Sequence, residues 1–342
     1  MIETTYFQKT LLDWYQAHGR HDLPWQNQSP YHVWLSEIML QQTQVATVLP
    51  YYHRFISLFP SIEHLATAPI DEILKMWAGL GYYHRARNLH KTAQIIIGDY
   101  AGQFPQTLNE LKKLPGIGAS TAAAILSQAF DLPFAILDGN VKRVLARFFG
   151  IESAIDDKNT LNALQALADE CMPQKNCQAY TQAIMDMGAT CCKPKNPQCT
   201  RCPLQEKCQA FQLQKIESIP QKGKTLKRKE QNFDFIAYIN SQQEIFLVQR
   251  PDKGIWPQLW CFPEGKNDLL ITRTSHELTH IRMNIAVYLE EIKTSDAPNH
   301  GVWVSESNWH QFGLPKAIQS LITKVFLDVK SQEPKPHLAD QK

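Results

Sequence analysis

The sequence lacks what would place a chain in a membrane or send it across one. No apolar run is long enough to span a bilayer, and the first residues have no basic-then-apolar leader pattern. The expectation is an intracellular protein with no membrane partner. Net charge is nearly absent too. Lys and Arg number 35 against 33 Asp and Glu, leaving +2. That total neither favours nor excludes nucleic acid, because binding depends on a local basic surface and not on the sum. There is no internal repeat, and no alternating strand pattern before about residue 233, which excludes a solenoid and leaves the N-terminal part to helices.

What is present suffices for two folded domains. The chain has 342 residues, 44% of them hydrophobic, enough for two real cores. Ser29-Pro30 reads as a helix start, Ser at the cap and Pro in the first position. The helix predicted after it, Tyr31 to about Leu49, is apolar nearly all round, and Glu37 is its one acidic residue. Glu37 reads either as a surface carboxylate with apolar neighbours or as a buried acid whose surroundings favour its neutral form. The all-round apolar helix argues for the second. The polar run Gln41-Gln42-Thr43-Gln44 is out of place on such a helix; it reads as surface or as a face turned to an unpaired base.

Leu114-Pro115-Gly116-Ile117-Gly118 is a turn between apolar segments. Gly116 and Gly118 permit backbone angles that let several N–H groups point one way at the next helix, with Ser120 in its first turn; such a turn binds phosphate. Asp138 precedes Val141, Val144, Leu145 and Phe148, the spacing of an amphipathic helix, so it sits at a helix N-terminus. Capping and chemistry are compatible for one carboxylate. Ala78 to Tyr83, followed by Arg85, Arg87 and Asn88, reads as a plain corner or a DNA-contacting loop, and the interleaved Arg and Tyr tip it toward DNA.

Of eight cysteines, four fall in the pattern Cys192-x6-Cys199-x2-Cys202-x5-Cys208, stiffened by Pro194, Pro197 and Pro203. A zinc ribbon needs two separated C-x2-C pairs and only one is present, so a four-thiolate [4Fe-4S] cluster fits better. Cys171, Cys177, Cys191 and Cys261 read as structural thiols, although Cys191 could compete with its neighbour as ligand. Lys193, Lys195, Arg201 and Lys207 make that loop basic and suited to phosphates. Residues 215–231 form a basic linker, containing Lys222, Lys224, Lys227, Arg228 and Lys229. Strand periodicity then starts at Phe233–Ile239 and Glu244–Gln249, continues at Ile285–Ile292 and Gly301–Val304, and is followed by an amphipathic helix through Ile318, Leu321, Ile322, Val325 and Phe326. The last dozen residues read as disordered.

Several stretches together resemble one family. These are Trp34 to Gln44, Gly79-Leu80-Gly81-Tyr82-Tyr83, Leu114 to Gly118, Leu137-Asp138-Gly139-Asn140-Val141-Lys142-Arg143-Val144 and the cysteine loop; beyond the linker come Gln249-Arg250-Pro251, Gly254-Ile255-Trp256 and Leu259 to Pro263. They resemble the MutY family of adenine glycosylases in the helix-hairpin-helix DNA glycosylase superfamily, over about residues 5–327. The resemblance implies a multi-domain chain: an all-α helix-hairpin-helix glycosylase domain at 1–214 with its iron-sulfur loop at 192–208, the linker at 215–231, a smaller α+β Nudix-like recognition domain at 232–328 and a tail at 329–342. It implies a monomer acting on double-stranded DNA that carries adenine opposite 8-oxoguanine or guanine.

Glu37 matches the family's general acid, Asp138 the carboxylate that stabilises positive charge on the sugar, and Asn140 an orienting residue beside it. Gln42 and Tyr82 match positions that wedge into the gap left by a flipped base. Ser120 stands where lyase members carry a Schiff-base Lys, so base release without strand nicking is expected. Leu278, Thr279 and His280 match an element that contacts 8-oxoguanine. Between Gly265 and Arg273 there is no room for the acidic helix of a Nudix hydrolase, so that domain should recognise and not hydrolyse. Two rival readings are an endonuclease III-like glycosylase and lyase for oxidised pyrimidines, against which Ser120 and the second domain argue, and a non-enzymatic DNA-binding or redox-sensing iron-sulfur module, against which Glu37 and Asp138 argue.

Overall fold

A computed structural model describes residues 2–221, 228–278 and 281–331. The chain divides into two compact units, one of Met1–Thr67 and Asn88–Thr225, the other of Ala68–Arg87 and Leu226–Lys342.

The first unit is built of helices. The Pro30–Leu40 helix packs on Ala119–Phe130, which packs in turn on Cys177–Asp186. Its apolar character is used: Tyr31, Val33, Trp34, Leu35, Ile38 and Met39 are all buried. Ser29 takes the cap position with Pro30 behind it, but its hydroxyl meets His32 Nδ1 at 2.8 Å and does not cap the backbone. The expected single helix from Tyr31 to about Leu49 is corrected. It breaks after Leu40, and a second helix, Val45–Leu58, starts after a turn. The break falls where Gln42 adopts left-handed backbone, φ +57. That conformation costs a non-glycine residue about 1 kcal/mol or more, and it turns the polar run out of the helix and leaves Gln42 exposed.

Gly118 immediately precedes the Ala119–Phe130 helix, and Asp138 caps Gly139–Phe149. The periodic residues Val141, Val144, Leu145 and Phe148 enter a core with Phe7, Leu11, Ile184 and Met187. The Cys177–Asp186 helix ends in a widened π turn, Met187–Cys191, that delivers Cys192 to the loop carrying the other three cysteines.

In the second unit a six-stranded sheet runs β3-β2-β1-β5-β4, with β6 on β2. The strands are β1 Lys229–Ile239, β2 Ile245–Gln249, β3 Trp260–Cys261, β4 Leu270–Glu277, β5 Ile281–Glu291 and β6 Gly301–Val304. β1 and β5 are parallel in register from Lys229↔Ile281 to Ile239↔Glu291; the other pairings are antiparallel. The C-terminal helix, Lys316–Ser331, buries Ile318, Leu321, Ile322, Val325 and Phe326. No helix lies between β3 and β4, where a Nudix hydrolase carries its acidic helix. Residues 222–227 of the linker and 332–342 of the tail lie outside the described residues. No helix among the described residues is long and apolar enough to cross a membrane.

Candidate active site

Glu37 sits near the end of the Pro30–Leu40 helix and keeps only part of its surface open. Gln128, on the helix packed against it, donates from Nε2 to Glu37 Oε1 at 2.9 Å. Burial raises the Glu37 carboxyl from 4.5 to about 7; the Gln128 hydrogen bond opposes that shift and the charge of Asp138 adds to it. Near neutrality a large share of Glu37 is thus the neutral acid.

Asp138 is held differently. Its carboxylate accepts the Val141 N–H at 2.7 Å as an N-cap and meets Asn140 Nδ2 at 3.4 Å. Burial pushes its pKa up, while the Val141 and Asn140 N–H groups and the nearby Arg143 pull toward the ionised form. Both carboxyl groups are thus raised by burial but opposed unequally. Glu37 has one amide donor on the side of its anion, whereas Asp138 has a helix terminus and a cation.

Asn140 is fixed from the far side. Arg143, 8% exposed, donates from Nη2 to Asn140 Oδ1 at 2.9 Å and to Gly188 O at 2.6 Å, and from Nε to Cys192 O at 2.7 Å. A continuous run of hydrogen bonds therefore links Asp138, Asn140 and Arg143 to the backbone of the first cysteine of the loop. The approach at Gly188 is close, since a Cβ there would lie 2.6 Å from Asn140 Cβ.

A cavity of about 220 Å³ in this unit is lined by Tyr15, Trp25, Asn27, Val33, Gln128 and Gln182, among others. Gln182 is 4% exposed. Its Nε2 donates to the buried Asp186 Oδ1 at 2.8 Å, which fixes the amide orientation, because an oxygen in that place would face a carboxylate. Gln182 Oε1 is left buried without a hydrogen-bond partner. Arg20 completes the support by binding Asp186 through its backbone N at 2.7 Å and its Nε at 2.9 Å. Reading by sequence missed Gln128, Gln182, Arg143 and the Arg20–Asp186 pair. The available signal was a glutamine on each of two buried helix faces.

At the Pro-Gly-x-Gly turn, Gly116 has φ +78 and a Cβ there would sit 2.9 Å from Asn88 Cβ. Gln41 Nε2 reaches Gly116 O and Thr121 Oγ1, each at 3.3 Å, tying the polar run to the turn. Gly118 has open space where a Cβ would be, so the N–H groups opening the next helix are approachable. Ser120 is turned inward instead, its Oγ accepting the Leu137 N–H at 3.3 Å. Gly116→Ala should therefore cost about 1–3 kcal/mol and weaken DNA affinity severalfold, read by thermal melting and by titration against duplex. A variant as stable as the parent would show that the turn relaxes freely.

In the second unit Tyr82 is 40% exposed with φ +49. Arg85 lies over the rings of Trp77 and Tyr82 at 5.3 and 5.6 Å, and donates from Nη2 to Leu80 O and Gly81 O, both at 3.1 Å. The tyrosine is thus presented on a braced loop. Leu278 closes the β4–β5 hairpin, its N–H donating to Ile281 O at 2.8 Å. Thr279 and His280 lie outside the described residues.

Cys192, Cys199, Cys202 and Cys208 line one cavity, and Cys191 lines it too. Among the described residues no three His, Cys, Asp or Glu side chains converge on a single ion position; the thiols stand around a space. Arg147 donates from Nη1 to Cys192 Sγ at 3.4 Å and to Lys193 O at 2.7 Å, a cation placed to stabilise thiolate charge.

Comparison with known proteins agrees with this geometry. The family model for HhH-GPD superfamily base excision DNA repair proteins matches residues 35–170, and the NUDIX domain model matches 235–324. The adenine DNA glycosylase of Buchnera aphidicola subsp. Baizongia pistaciae (strain Bp) is 39% identical over 95% of this chain and 98% of its own length. That of Homo sapiens is 30% identical over 98% of this chain and 76% of its own. Among solved structures, a thermostable thymine-DNA glycosylase superposes with TM-score 0.57 at 29% identity, covering 62% of this chain and 97% of that one. With matches running through both units and relatives covered over most of their length, the chain belongs to the adenine DNA glycosylase family of base excision repair, whose members are hydrolytic DNA N-glycosylases.

Proposed function

We propose that this protein binds double-stranded DNA as a monomer, flips out an adenine paired with 8-oxoguanine or guanine, and hydrolyses its N-glycosidic bond without cutting the strand. The observation that carries the reading is the pair of carboxyl groups in unlike settings, Glu37 raised by burial to about 7 and Asp138, also raised by burial, opposed by the Val141 and Asn140 N–H groups and Arg143. A stacked base is out of reach of either, so it must first leave the duplex at a cost of about a few kcal/mol. Gln42 and Tyr82, each exposed on left-handed backbone, are the residues to fill the gap. The Gly116–Gly118 turn and the basic cysteine loop are suited to hold phosphates on either side.

The flipped purine enters the cavity, where Gln182 Oε1 accepts a hydrogen bond from the exocyclic amino group, a donor that a 6-keto purine lacks. Glu37 gives its proton to a ring nitrogen, so adenine departs as a neutral base. Positive charge then grows on the sugar, and Asp138 stabilises it by its charge or by transient attachment, with Asn140 holding the carboxylate in line. Water completes the hydrolysis. A single copy of the chain supplies both carboxyl groups from one unit, which supports a monomer, and a DNA substrate places the protein with the genome inside the cell.

The division into a glycosylase domain at 1–214, a linker at 215–231 and a Nudix-like recognition domain at 232–328 belongs to the same reading, with Leu278, Thr279 and His280 facing the opposing 8-oxoguanine. The donor set around the cysteine cavity fits a [4Fe-4S] cluster on Cys192, Cys199, Cys202 and Cys208: soft thiols surround a space, and Arg147 reaches one sulfur. When bound, such a group pins the loop that carries Lys193, Lys195, Arg201 and Lys207.

The test is single-turnover base release on duplexes that differ only in the base opposite adenine. Release should be fastest opposite 8-oxoguanine, slower opposite guanine and negligible opposite thymine. Ser120 offers no amine, so the same reactions should leave intact abasic strands, and borohydride should trap no adduct. Nicking at the rate of base release would overturn the monofunctional assignment. Release of thymine glycol but not of adenine would establish the pyrimidine-specific alternative.

A further inference from the structure

We infer that the Trp256–Gln258 turn is a shared mount for the Tyr82 wedge and for the hairpin that Leu278 closes, with Arg87 as the positioning residue that joins the wedge to it. The inference rests on the reading of Tyr82 as the gap-filling residue and assigns what holds it in place. Residues 68–87 lie inside the span that the glycosylase family model matches, 35–170, yet they belong by their contacts to the second unit, with the strands. The wedge is thus part of the strand-bearing unit.

Three side-chain hydrogen bonds tie the segment down. Asp71 Oδ1 accepts from Gln249 Nε2 at 3.0 Å, the Tyr83 hydroxyl donates to Leu314 O at 2.9 Å, and Arg87 Nη1 donates to Pro257 O at 2.8 Å. Tyr83 is 9% exposed and its neighbour Tyr82 40%, so the chain buries one ring as an anchor and presents the other. Arg85 and Arg87, which by sequence could face DNA, both direct donors to backbone carbonyls of this unit.

The acceptor for Arg87 sits on strained backbone. Trp256 and Gln258, on either side of Pro257, have φ +54 and +61, a conformation that persists in non-glycine residues only where the surroundings over-determine it. They do so here. Trp256 is buried, Gln258 N donates to Arg250 O at 3.1 Å, and Gln258 Nε2 donates to Asp252 Oδ1 at 2.9 Å. The Asp252 charge also acts on the Arg87 guanidinium. On its other side the turn meets the hairpin: the Trp256 ring lies 6.1 Å from the ring of His276 on β4, two residues before Leu278. One braced turn therefore touches both the wedge segment and the hairpin assigned to the opposing base.

The experiment is a double-mutant cycle on the full-length chain, read by single-turnover adenine release opposite 8-oxoguanine and opposite guanine. Tyr82→Ala should slow release. Arg87→Ala should slow release opposite 8-oxoguanine by about three- to thirtyfold and narrow the preference over guanine by at least about threefold, while adding less than about twofold in a chain that already carries Tyr82→Ala. Arg87→Lys keeps a cationic donor for Pro257 O and should recover part of the loss. Tyr83→Phe, which removes one hydroxyl, should move both readouts the same way by a smaller factor. Losses that multiply in the double variant, or an unchanged preference, overturn the inference, because a residue that only supports the fold acts whether or not Tyr82 is present. A loss equal opposite both bases that disappears at low salt would make Arg87 a phosphate contact and overturn it too. Tyr82→Ala releasing adenine as fast as the parent would overturn the gap-filling reading itself.

Discussion

Glu37→Gln should lower single-turnover adenine release by about a hundred- to ten-thousand-fold, the usual contribution of a positioned general acid, with duplex affinity changed only severalfold. Gln is nearly isosteric and can keep a hydrogen bond with the Gln128 amide, but it has no proton to give. The parent's pH profile follows from the same group. Its neutral form is the active one and burial holds its pKa at about 7, so release should fall as pH rises through about 7, while the Gln variant should show no such limb.

Stability falls in the same direction. Below the ordinary value of 4.5 Glu37 is neutral folded or unfolded and contributes no difference. Between that value and about 7 the folded chain holds a proton that the unfolded chain releases, so stability is lost as pH rises and the cost is complete above it. A shift of that size is worth roughly 3 kcal/mol, and partial access to solvent reduces it to on the order of 1–3. Glu37→Gln should therefore melt above the parent at pH 8 and level with it at pH 4. A Gln variant with unchanged release would remove Glu37 from the acid role. One that melts with the parent at both pH values would show that the carboxyl is not held neutral.

Glu37 was legible in the sequence because it was the lone acid in an otherwise apolar helix, a pattern with one economical explanation. Asp138 was legible because the period of the following helix fixed its own position as the cap. The break at Gln42 was not, since no Gly or Pro marks it and the left-handed backbone of that residue is imposed by tertiary structure. The supporting polar residues were also hidden. Gln128 meets Glu37 across 91 positions and Arg143 meets Cys192 across 49, pairings that no local pattern encodes. β4 went unread for a different reason: Leu270–Glu277 has no buried residue and is rich in Thr, Ser and charged residues, so it carries no apolar face to announce a strand. Local signals therefore located the two candidate carboxyl groups and left their mutual arrangement to packing.

Asp138→Asn isolates the second carboxylate, because Asn and Asp cap helices about equally well. The Val141 N–H keeps an acceptor and the Gly139–Phe149 helix keeps its start, so melting at neutral pH should match or slightly exceed the parent's, since burial makes the charged form of Asp138 costly. Release should nevertheless fall by at least about a hundred- to a thousand-fold, the loss that follows removal of one preorganised charge partner of a transition state. Asp138→Ala should fall as far in rate and also lose about 1 kcal/mol of stability with the cap. Equal stability of the two variants would mean that the cap contributes nothing, and a rate within a few-fold of the parent for Asn would mean that the sugar cation is stabilised elsewhere. A further consequence follows from the charge alone. The negative charge of Asp138 helps to hold Glu37 protonated, so in Asp138→Asn the residual activity should begin to fall at a slightly lower pH than in the parent, and an unmoved limb would show that the two carboxyl groups do not interact.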